Sequence, residues 1–209
     1  SAHFEANTGA TQGGDDAVAV KIVPRIADID AAQWNDLAGT SPLLNHAFLD
    51  ALETTGCVGR HIGWEPVHLA LFRDGQLAAA LPLYVKHHSW GEFVFDWAWA
   101  SAYERNGMQY YPKLVACVPF SPVPGARLLA TNDADRAILL QAAVKLCGDL
   151  GFSSFHLLFP TAADHAALNA APLAHRSGFQ FHWNNDNYAD FDAFLAALTH
   201  DKRKKIKQE

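Results

Sequence analysis

The segment from Trp90 to Arg127 holds the residues whose types and spacing could do chemistry. Its aromatic members are Trp90, Trp97, Trp99, Tyr103, Tyr110 and Tyr111, and its charged members are Glu92, Asp96, Glu104, Arg105, Lys113 and Arg127. A buried strand would be rich in Val, Ile and Leu and would avoid charge. Dense rings between charges of both signs therefore indicate a groove that grips a polar, anionic ligand. The alternative is a pair of edge strands with a solvated face and a few buried rings.

Composition limits the class of protein. The chain has 209 residues, of which 50% are hydrophobic and 18% charged, which predicts one sizeable globular domain. A net charge of −6 argues against nucleic-acid binding by the chain as a whole. No apolar run reaches the ~18 residues that a membrane-spanning helix needs.

The N-terminus and the cysteines indicate a reducing compartment. Residues 1–17 are small, polar and Gly-rich without a signal-peptide pattern, so we expect a disordered lead-in. Cys57, Cys117 and Cys147 are odd in number and lack a CxxC, which argues against a disulfide framework or a zinc site and favours the cytoplasm. The adjacent His87 and His88 would point to opposite faces of a strand, so we expect no metal site there.

Hydrophobic periodicity and turn residues predict alternating elements. The predicted strands are 18–23, 67–73, 76–86, 90–96, 110–118, 153–159 and 178–184, with Asp74-Gly75 as a hairpin turn. Helices are predicted after Asp30 and Ser41, over about 133–150, from Thr161 and after Asp190, with a loop or short helix over 97–109. This order predicts the α/β (α+β) class, as one mixed, mostly antiparallel central sheet with helices on both faces.

The last helix ends in a basic run of Lys202, Arg203, Lys204, Lys205 and Lys207. The run is typical of a solvated helix end, where cations meet the negative pole of the helix dipole. It would equally suit an anion-binding patch for the phosphates of a ligand or nucleic acid. A third interpretation is that the chain is the front part of a longer protein.

Several stretches within roughly residues 40–209 are long and unusual in composition. They are PLLNHAFLDALETTGCVG, HLALFRDGQLAAALPLYVKHHSWGEFVFDWAWASAYERNGMQYYPKLVACVPFSPVPGARLL, SSFHLLFP and FQFHWNNDNYADFDAFLAALTHDKRKKIKQE. These stretches resemble the FemAB-like, GNAT-related family of peptidoglycan biosynthesis or recognition proteins. The resemblance implies a GNAT-like acyltransferase domain over residues 18–188. Residues 189–209 would then be the first helix of a truncated second domain, and the missing C-terminal half would be a partner.

The resemblance also implies a reaction, the transfer of an acyl or aminoacyl group to an amine, such as that of a peptidoglycan precursor. The implied donor is acyl-CoA or aminoacyl-tRNA, with nucleic acid a partner only if tRNA is the donor. The stretch SPVPGARLLATNDADR lacks the Arg/Gln-x-x-Gly-x-Gly/Ala turn that holds the pyrophosphate of CoA in GNAT enzymes. We therefore expect this chain to bind a small-molecule or peptide-like acceptor and to be inactive alone. A non-catalytic recognition module and a half-domain that pairs through a sheet edge are the alternatives.

Roles follow for individual residues under this resemblance. The candidates for the base, or for binding a cationic amine, are Asp96 and Glu104, because nearby rings could raise a carboxylate pKa. The candidates for substrate binding are Trp97, Trp99, Tyr103, Arg105, Lys113, Arg127, His182 and Asn184. The structural alternatives are a cap at a strand end for Asp96 and a salt bridge between Glu104 and Arg105. They are ordinary surface charge for Arg105, Lys113 and Arg127, and the polar outer face of a strand for His182 and Asn184.

Overall fold

The computed structural model describes residues 18–208, which divide into two compact units. The first unit extends to Leu173 and the second begins at Ala174. The predicted lead-in over residues 1–17 lies outside the described residues. The predicted domain boundary at residue 188 stays a prediction.

The first unit contains two four-stranded sheets. One sheet has the order β1-β3-β4-β7 and is antiparallel throughout, with β1 Val18–Val23, β3 His68–Arg73, β4 Gln76–Leu81 and β7 Leu129–Ala130. The other has the order β2-β5-β6-β8, with β2 Trp64–Pro66, β5 Leu83–Lys86, β6 Lys113–Ala116 and β8 Phe155–Leu157. In this second sheet β6 and β8 are parallel and the other pairs antiparallel.

Helices cover both faces of the first sheet. The helices are α1 Ala31–Ala38, α2 His46–Thr54, α3 Trp97–Arg105, α4 Asp133–Asp149 and α5 Ala162–Ala170 in the first unit, and α6 Phe191–Ala197 and α7 His200–Gln208 in the second. Leu69 and Leu71 of β3 pack with α4, whereas Ala70, between them, packs with α1 and α2 on the opposite face. The α+β class with mostly antiparallel strands is confirmed. None of the helices in residues 18–208 has the length and apolar composition needed to cross a bilayer.

The predicted single sheet is divided at Pro82, in the long hairpin that both sheets share. Pro82 has no N–H to donate, so the pairing of β3 with β4 is interrupted before β2 pairs with β5. His68 bridges the interruption: the Leu83 N–H donates to its Nδ1 at 3.3 Å, and its Nε2–H donates to Glu53 Oε1 at 2.9 Å. Glu53 in turn accepts from the Ile26 N–H at 3.0 Å, which ties α2 to the turn between β1 and α1.

This bridge predicts a stability effect for His68→Leu. The substitution leaves the buried Leu83 N–H and the Glu53 carboxylate without their partner, and we expect the free energy of unfolding to fall by about 1–3 kcal/mol. Urea denaturation checks this value, with the exposed His165→Leu as the matched control. Equal stability of the two variants would show that the bridge does not stabilise the hairpin.

Two predicted strands are not strands. Residues 90–96 form an irregular loop, in which Gly91 and Phe93 have left-handed φ angles of 81° and 59° that interrupt extended backbone. Residues 178–184 carry no strand assignment, and Phe179 and Phe181 are almost fully exposed, so their alternation meets no sheet face. The Asp74-Gly75 hairpin and the Asp30 and Thr161 helix caps are as predicted.

Candidate functional site

Two buried lysines face each other across the second sheet. Lys86 at the end of β5 is the register partner of Lys113 at the start of β6, and both side chains are 0% exposed. Like charges directly opposite on neighbouring strands repel, and a buried cation without a counter-ion is costly. This pair of strands therefore requires nearby anions.

The loop that follows β5 supplies them. Lys113 Nζ donates to Glu92 Oε2 and to Asp96 Oδ2, each at 2.7 Å, and lies 3.4 Å from Ser89 Oγ. These three acceptors match the three N–H donors of an ammonium group. The loop over residues 87–96 thus turns its carboxylates inward and is anchored by them to β6.

Lys86 Nζ has fewer hydrogen-bond acceptors around it than Lys113 Nζ. Its Nζ donates to the Trp90 carbonyl at 3.1 Å, lies 3.6 Å from the Trp64 ring centroid, and stands 4.0 Å from Glu92 Oε1. Burial lowers the pKa of Lys86 to about 7, against the opposing charge of Glu92. Burial also raises the pKa of Glu92, although Lys113 and Lys86 oppose the shift. Glu92 Oε1 finds no hydrogen-bond partner within residues 18–208.

The lowered pKa of Lys86 predicts how stability depends on pH. Between the folded value of about 7 and the ordinary 10.5, the unfolded chain binds a proton that the folded chain lacks. The contribution of Lys86 to the free energy of unfolding therefore rises with pH in this window, by up to about 1.4 kcal/mol per pH unit. We expect Lys86→Met to be relatively more stabilising near pH 7 than near pH 10, as measured by urea denaturation. A difference that stays constant with pH, as expected for the exposed Lys145→Met control, would contradict the assignment.

Asp96 connects the buried lysine to a partly exposed histidine. Tyr110 donates from its hydroxyl to Asp96 Oδ2 at 2.9 Å, and His156 Nδ1 lies 3.8 Å from the same oxygen. His156 Nε2 lies 2.8 Å from Ser154 Oγ and 3.4 Å from the Tyr110 hydroxyl. The His156 side chain is 20% exposed whereas that of Asp96 is 1% exposed, so the cluster meets solvent at His156.

The charges and hydrogen bonds around Asp96 favour its ionised form. Burial alone would raise its pKa, but the hydrogen bond and charge of Lys113, with the Tyr110 hydrogen bond and His156, together lower it. Burial and the Asp96 carboxylate raise the pKa of Tyr110 well above its usual value, so Tyr110 keeps its proton and stays a donor. The arrangement can hold a carboxylate charged beside an imidazole that reaches solvent, which is the pairing that general base chemistry uses.

The predicted site residues fall into several environments. Asp96 and Lys113 meet in the cluster, and Trp97 and Trp99 project from the first turn of α3, 50% and 56% exposed. Tyr103 packs edge-on against Tyr110, with ring centroids 5.2 Å apart, so it backs the cluster from α3. The catalytic and binding roles assigned to these residues stay predictions.

Other predicted site residues lie outside the cluster. Glu104 and Arg105 are exposed at the end of α3, and His182 and Asn184 are exposed in the second unit. Arg127 is buried and donates to carbonyls: Nε to Leu158 O at 2.9 Å and Nη2 to Val123 O at 2.8 Å. Burial lowers the pKa of Arg127. Its hydrogen bonds to the Val123 and Leu158 carbonyls hold the Pro-rich loop against the residues that follow β8.

Sequence reasoning missed Lys86 and His156 and assigned no role to Glu92 or Tyr110. Lys86 is the last residue of a predicted strand, and a charge at that place is ordinary. His156 lies in the strand segment SSFHLLF, far along the chain from Asp96. Only the parallel register of β8 beside β6, which pairs Val115 with His156, brings the imidazole to the carboxylate.

Comparison with family models gives one match over residues 25–209, to a family described as FemAB-like, peptidoglycan biosynthesis/recognition. The chain belongs to the FemAB-like family. The match covers most of the chain, including both ends of the cluster, Lys86 and His156. Membership of this family implies a role in peptidoglycan biosynthesis or recognition for the chain. Neither the curated proteins nor the solved structures gave a significant match.

Proposed function

We propose that this protein takes part in transferring an acyl or aminoacyl group to an amine of a peptide-like peptidoglycan precursor. The observation that carries the proposal is the contact chain from Lys113 through Asp96 and Tyr110 to His156, open to solvent at the imidazole. Membership of the FemAB-like family supports the class of substrate. The donor in this proposal is acyl-CoA or aminoacyl-tRNA, and the compartment is the cytoplasm.

Each group in the cluster has a task in this reaction. The acceptor amine reaches the protein as an ammonium ion and must lose one proton before its lone pair can attack the acyl carbonyl. His156 accepts that proton, and the Asp96 carboxylate stabilises the resulting imidazolium from 3.8 Å. The neutral amine attacks the acyl carbonyl carbon, which forms the C–N bond of a tetrahedral intermediate. When the intermediate collapses, the bond to the leaving group breaks, and the leaving thiol of CoA or ribose hydroxyl of tRNA takes the second amine proton. The first proton passes from His156 to solvent, so atoms and charges balance.

Lys113 and Tyr110 act on Asp96 in this account. Both donate to Asp96 Oδ2, at 2.7 and 2.9 Å, so the carboxylate stays ionised and fixed in position. A protonated Asp96 could not stabilise an imidazolium. Lys113 is thus a positioning residue, and the part assigned to it in the reaction is electrostatic.

A second candidate function is recognition of the precursor without catalysis. The observation that favours it is the burial of Asp96, 1% exposed, and the full use of the Lys113 donors by protein acceptors. In that case the ligand would meet His156 and the exposed rings of residues 90–99 without any bond being made.

Mass spectrometry of reaction mixtures tests the proposal. The full chain is incubated with a soluble peptidoglycan precursor that carries a free amine, together with acetyl-CoA or an aminoacyl-tRNA. A precursor whose mass increases by the acyl or aminoacyl group is the result expected for a transferase, and it would overturn the expectation from the sequence that this chain is inactive alone. Binding of the precursor in calorimetry without any product would support the recognition function, and the absence of both binding and product would contradict the two candidates.

A further inference from the structure

Three large rings that pack against one another form an exposed surface, which directly adjoins Asp96 in the chain and which we call the aromatic surface. Its members are Trp90, Phe95 and Trp97, and they are 44–62% exposed. Single exposed apolar side chains are common, but a group of this kind marks a place where something binds. The aromatic surface therefore needs an occupant.

The rings are held in place before any ligand arrives. Phe95 and Trp97 stack with centroids 4.6 Å apart, and Trp90 packs against Trp97 at 5.6 Å. The Trp90 carbonyl accepts from Lys86 Nζ at 3.1 Å and from Trp64 Nε1 at 3.2 Å, so its backbone is tied to buried groups. A surface fixed in this way loses little conformational entropy when it binds, which favours ligand recognition.

Backbone strain accompanies the exposure. Phe93 and Phe120 have φ angles of 59° and 58°, in the left-handed region that residues with a bulky side chain rarely adopt. Both rings are substantially exposed, at 51% and 43%, so the strain is not offset by full burial of these rings. The Phe120 N–H donates to the Gly91 carbonyl at 3.1 Å, which joins the two strained loops. Strain that persists beside a cluster of this kind is typical of a functional site.

The charged residues near the aromatic surface limit the kind of ligand that can bind to it. Among residues 87–105 the exposed acidic and basic side chains are Glu104 and Arg105, one of each sign, while Glu92 and Asp96 are buried. The surface is therefore close to neutral, and its polar handles are indole N–H donors. It lacks the excess of cations that attracts a protein to anionic lipid.

We propose that the aromatic surface binds the N-acetylated amino-sugar rings of a peptidoglycan-type ligand. The C–H face of a pyranose ring is apolar and flat enough to lie on an indole, while its acetamido and hydroxyl groups can accept from indole N–H groups. This inference rests on the proposed function for its location, because Asp96 directly precedes Trp97. One precursor would then place its sugar on the rings and its peptide amine near His156.

Calorimetric titration with two separate ligand parts tests the inference. The first probe is the N-acetylglucosaminyl–N-acetylmuramic acid disaccharide without peptide, and the second is the sugar-free stem peptide. We expect the disaccharide to bind and Trp97→Ala to weaken it about tenfold, which corresponds to the loss of one ring contact. Trp183→Ala, which removes a ring of the second unit that is 65% exposed, is the matched control and should leave the affinity unchanged.

The outcomes separate this inference from the proposed function. No binding of the disaccharide, or equal weakening by Trp97→Ala and Trp183→Ala, overturns the sugar site. Stem-peptide binding without disaccharide binding overturns the sugar site while leaving the amine site intact. Disaccharide binding that depends on Trp97, with no binding of the stem peptide, supports the sugar site and removes the proposed acceptor amine.

Self-association of the chain that is lost in Trp97→Ala, with no effect of sugar, would assign the surface to a protein contact and also overturn the inference. Trp90→Ala, checked for folding by circular dichroism, repeats the test at a second ring of the same surface.

Discussion

Lys113→Met is expected to lower the free energy of unfolding by about 3–5 kcal/mol, because it leaves Glu92 and Asp96 buried without their shared cation. Both carboxylates lie 2.7 Å from Lys113 Nζ and are about 1% exposed, so water cannot replace the ammonium without opening the loop over residues 87–96. Urea denaturation at neutral pH measures the change. The loss should be accompanied by greater exposure of the Trp90 indole, which the same loop carries.

Two comparison variants make the Lys113 result specific. Lys145→Met removes a lysine whose pair with Asp149 is exposed, and it should change stability by no more than about 0.5 kcal/mol. Adding Glu92→Gln to Lys113→Met removes one of the uncompensated charges, so the double variant should be more stable than Lys113→Met alone. A Lys113→Met protein as stable as Lys145→Met would show that the buried cluster is not formed as described.

Under the proposed function, His156→Gln is expected to lower the rate of acyl transfer by about 10²–10⁴-fold, because the acceptor amine would lose the group proposed to take its proton. Glutamine retains the volume and hydrogen-bonding capacity of the side chain near Ser154 but cannot accept a proton at neutral pH. Steady-state kinetics in the system that forms product measure the effect. The loss should fall on kcat, while the affinity for the precursor changes little.

His165→Gln is the matched control for this substitution, since His165 is an exposed histidine on α5. It should transfer at the wild-type rate. The pH profile gives a second readout: the titration of the general base on the acidic side of the profile should disappear in His156→Gln and persist in His165→Gln. A His156→Gln protein with the wild-type rate and pH profile would remove His156 from the mechanism.

The sequence was sufficient to predict the turns, helix caps and helices that depend on residues close together in the chain. The Asp74-Gly75 turn and the helix caps at Asp30 and Thr161 are local chemistry, in which a side chain bonds to backbone a few residues away. Periodicity was sufficient for α4, whose buried Leu139, Ala143 and other apolar residues follow helical spacing. These elements fix the α+β class without any knowledge of long-range contacts.

The loop over residues 90–96 shows why local pattern was insufficient for the site. The pattern predicts a strand over these residues, and one interpretation of the segment is a charged, solvated face with a few buried rings. The structure has an irregular loop there, and it shows the opposite of that interpretation: Glu92 and Asp96 are buried, whereas Phe93 and Phe95 are exposed. The cause lies in other strands, where the register pairs Lys86 with Lys113 and makes buried anions necessary. Asp96 and Lys113 were chosen from the sequence as separate candidates, and their direct contact depends on tertiary structure.

The proposed reaction requires an acceptor amine to reach the imidazole of His156, and nuclear magnetic resonance of the histidine ring nitrogens measures this approach directly. The labelled chain is titrated with a soluble peptidoglycan precursor that carries a free amine, and in parallel with the same precursor N-acetylated at that amine. We predict that the His156 ring signals shift saturably with the free amine and much less with the acetylated analogue, while those of His165 do not move. Unchanged His156 signals at saturating precursor, or equal shifts with both ligands, would contradict the proposal.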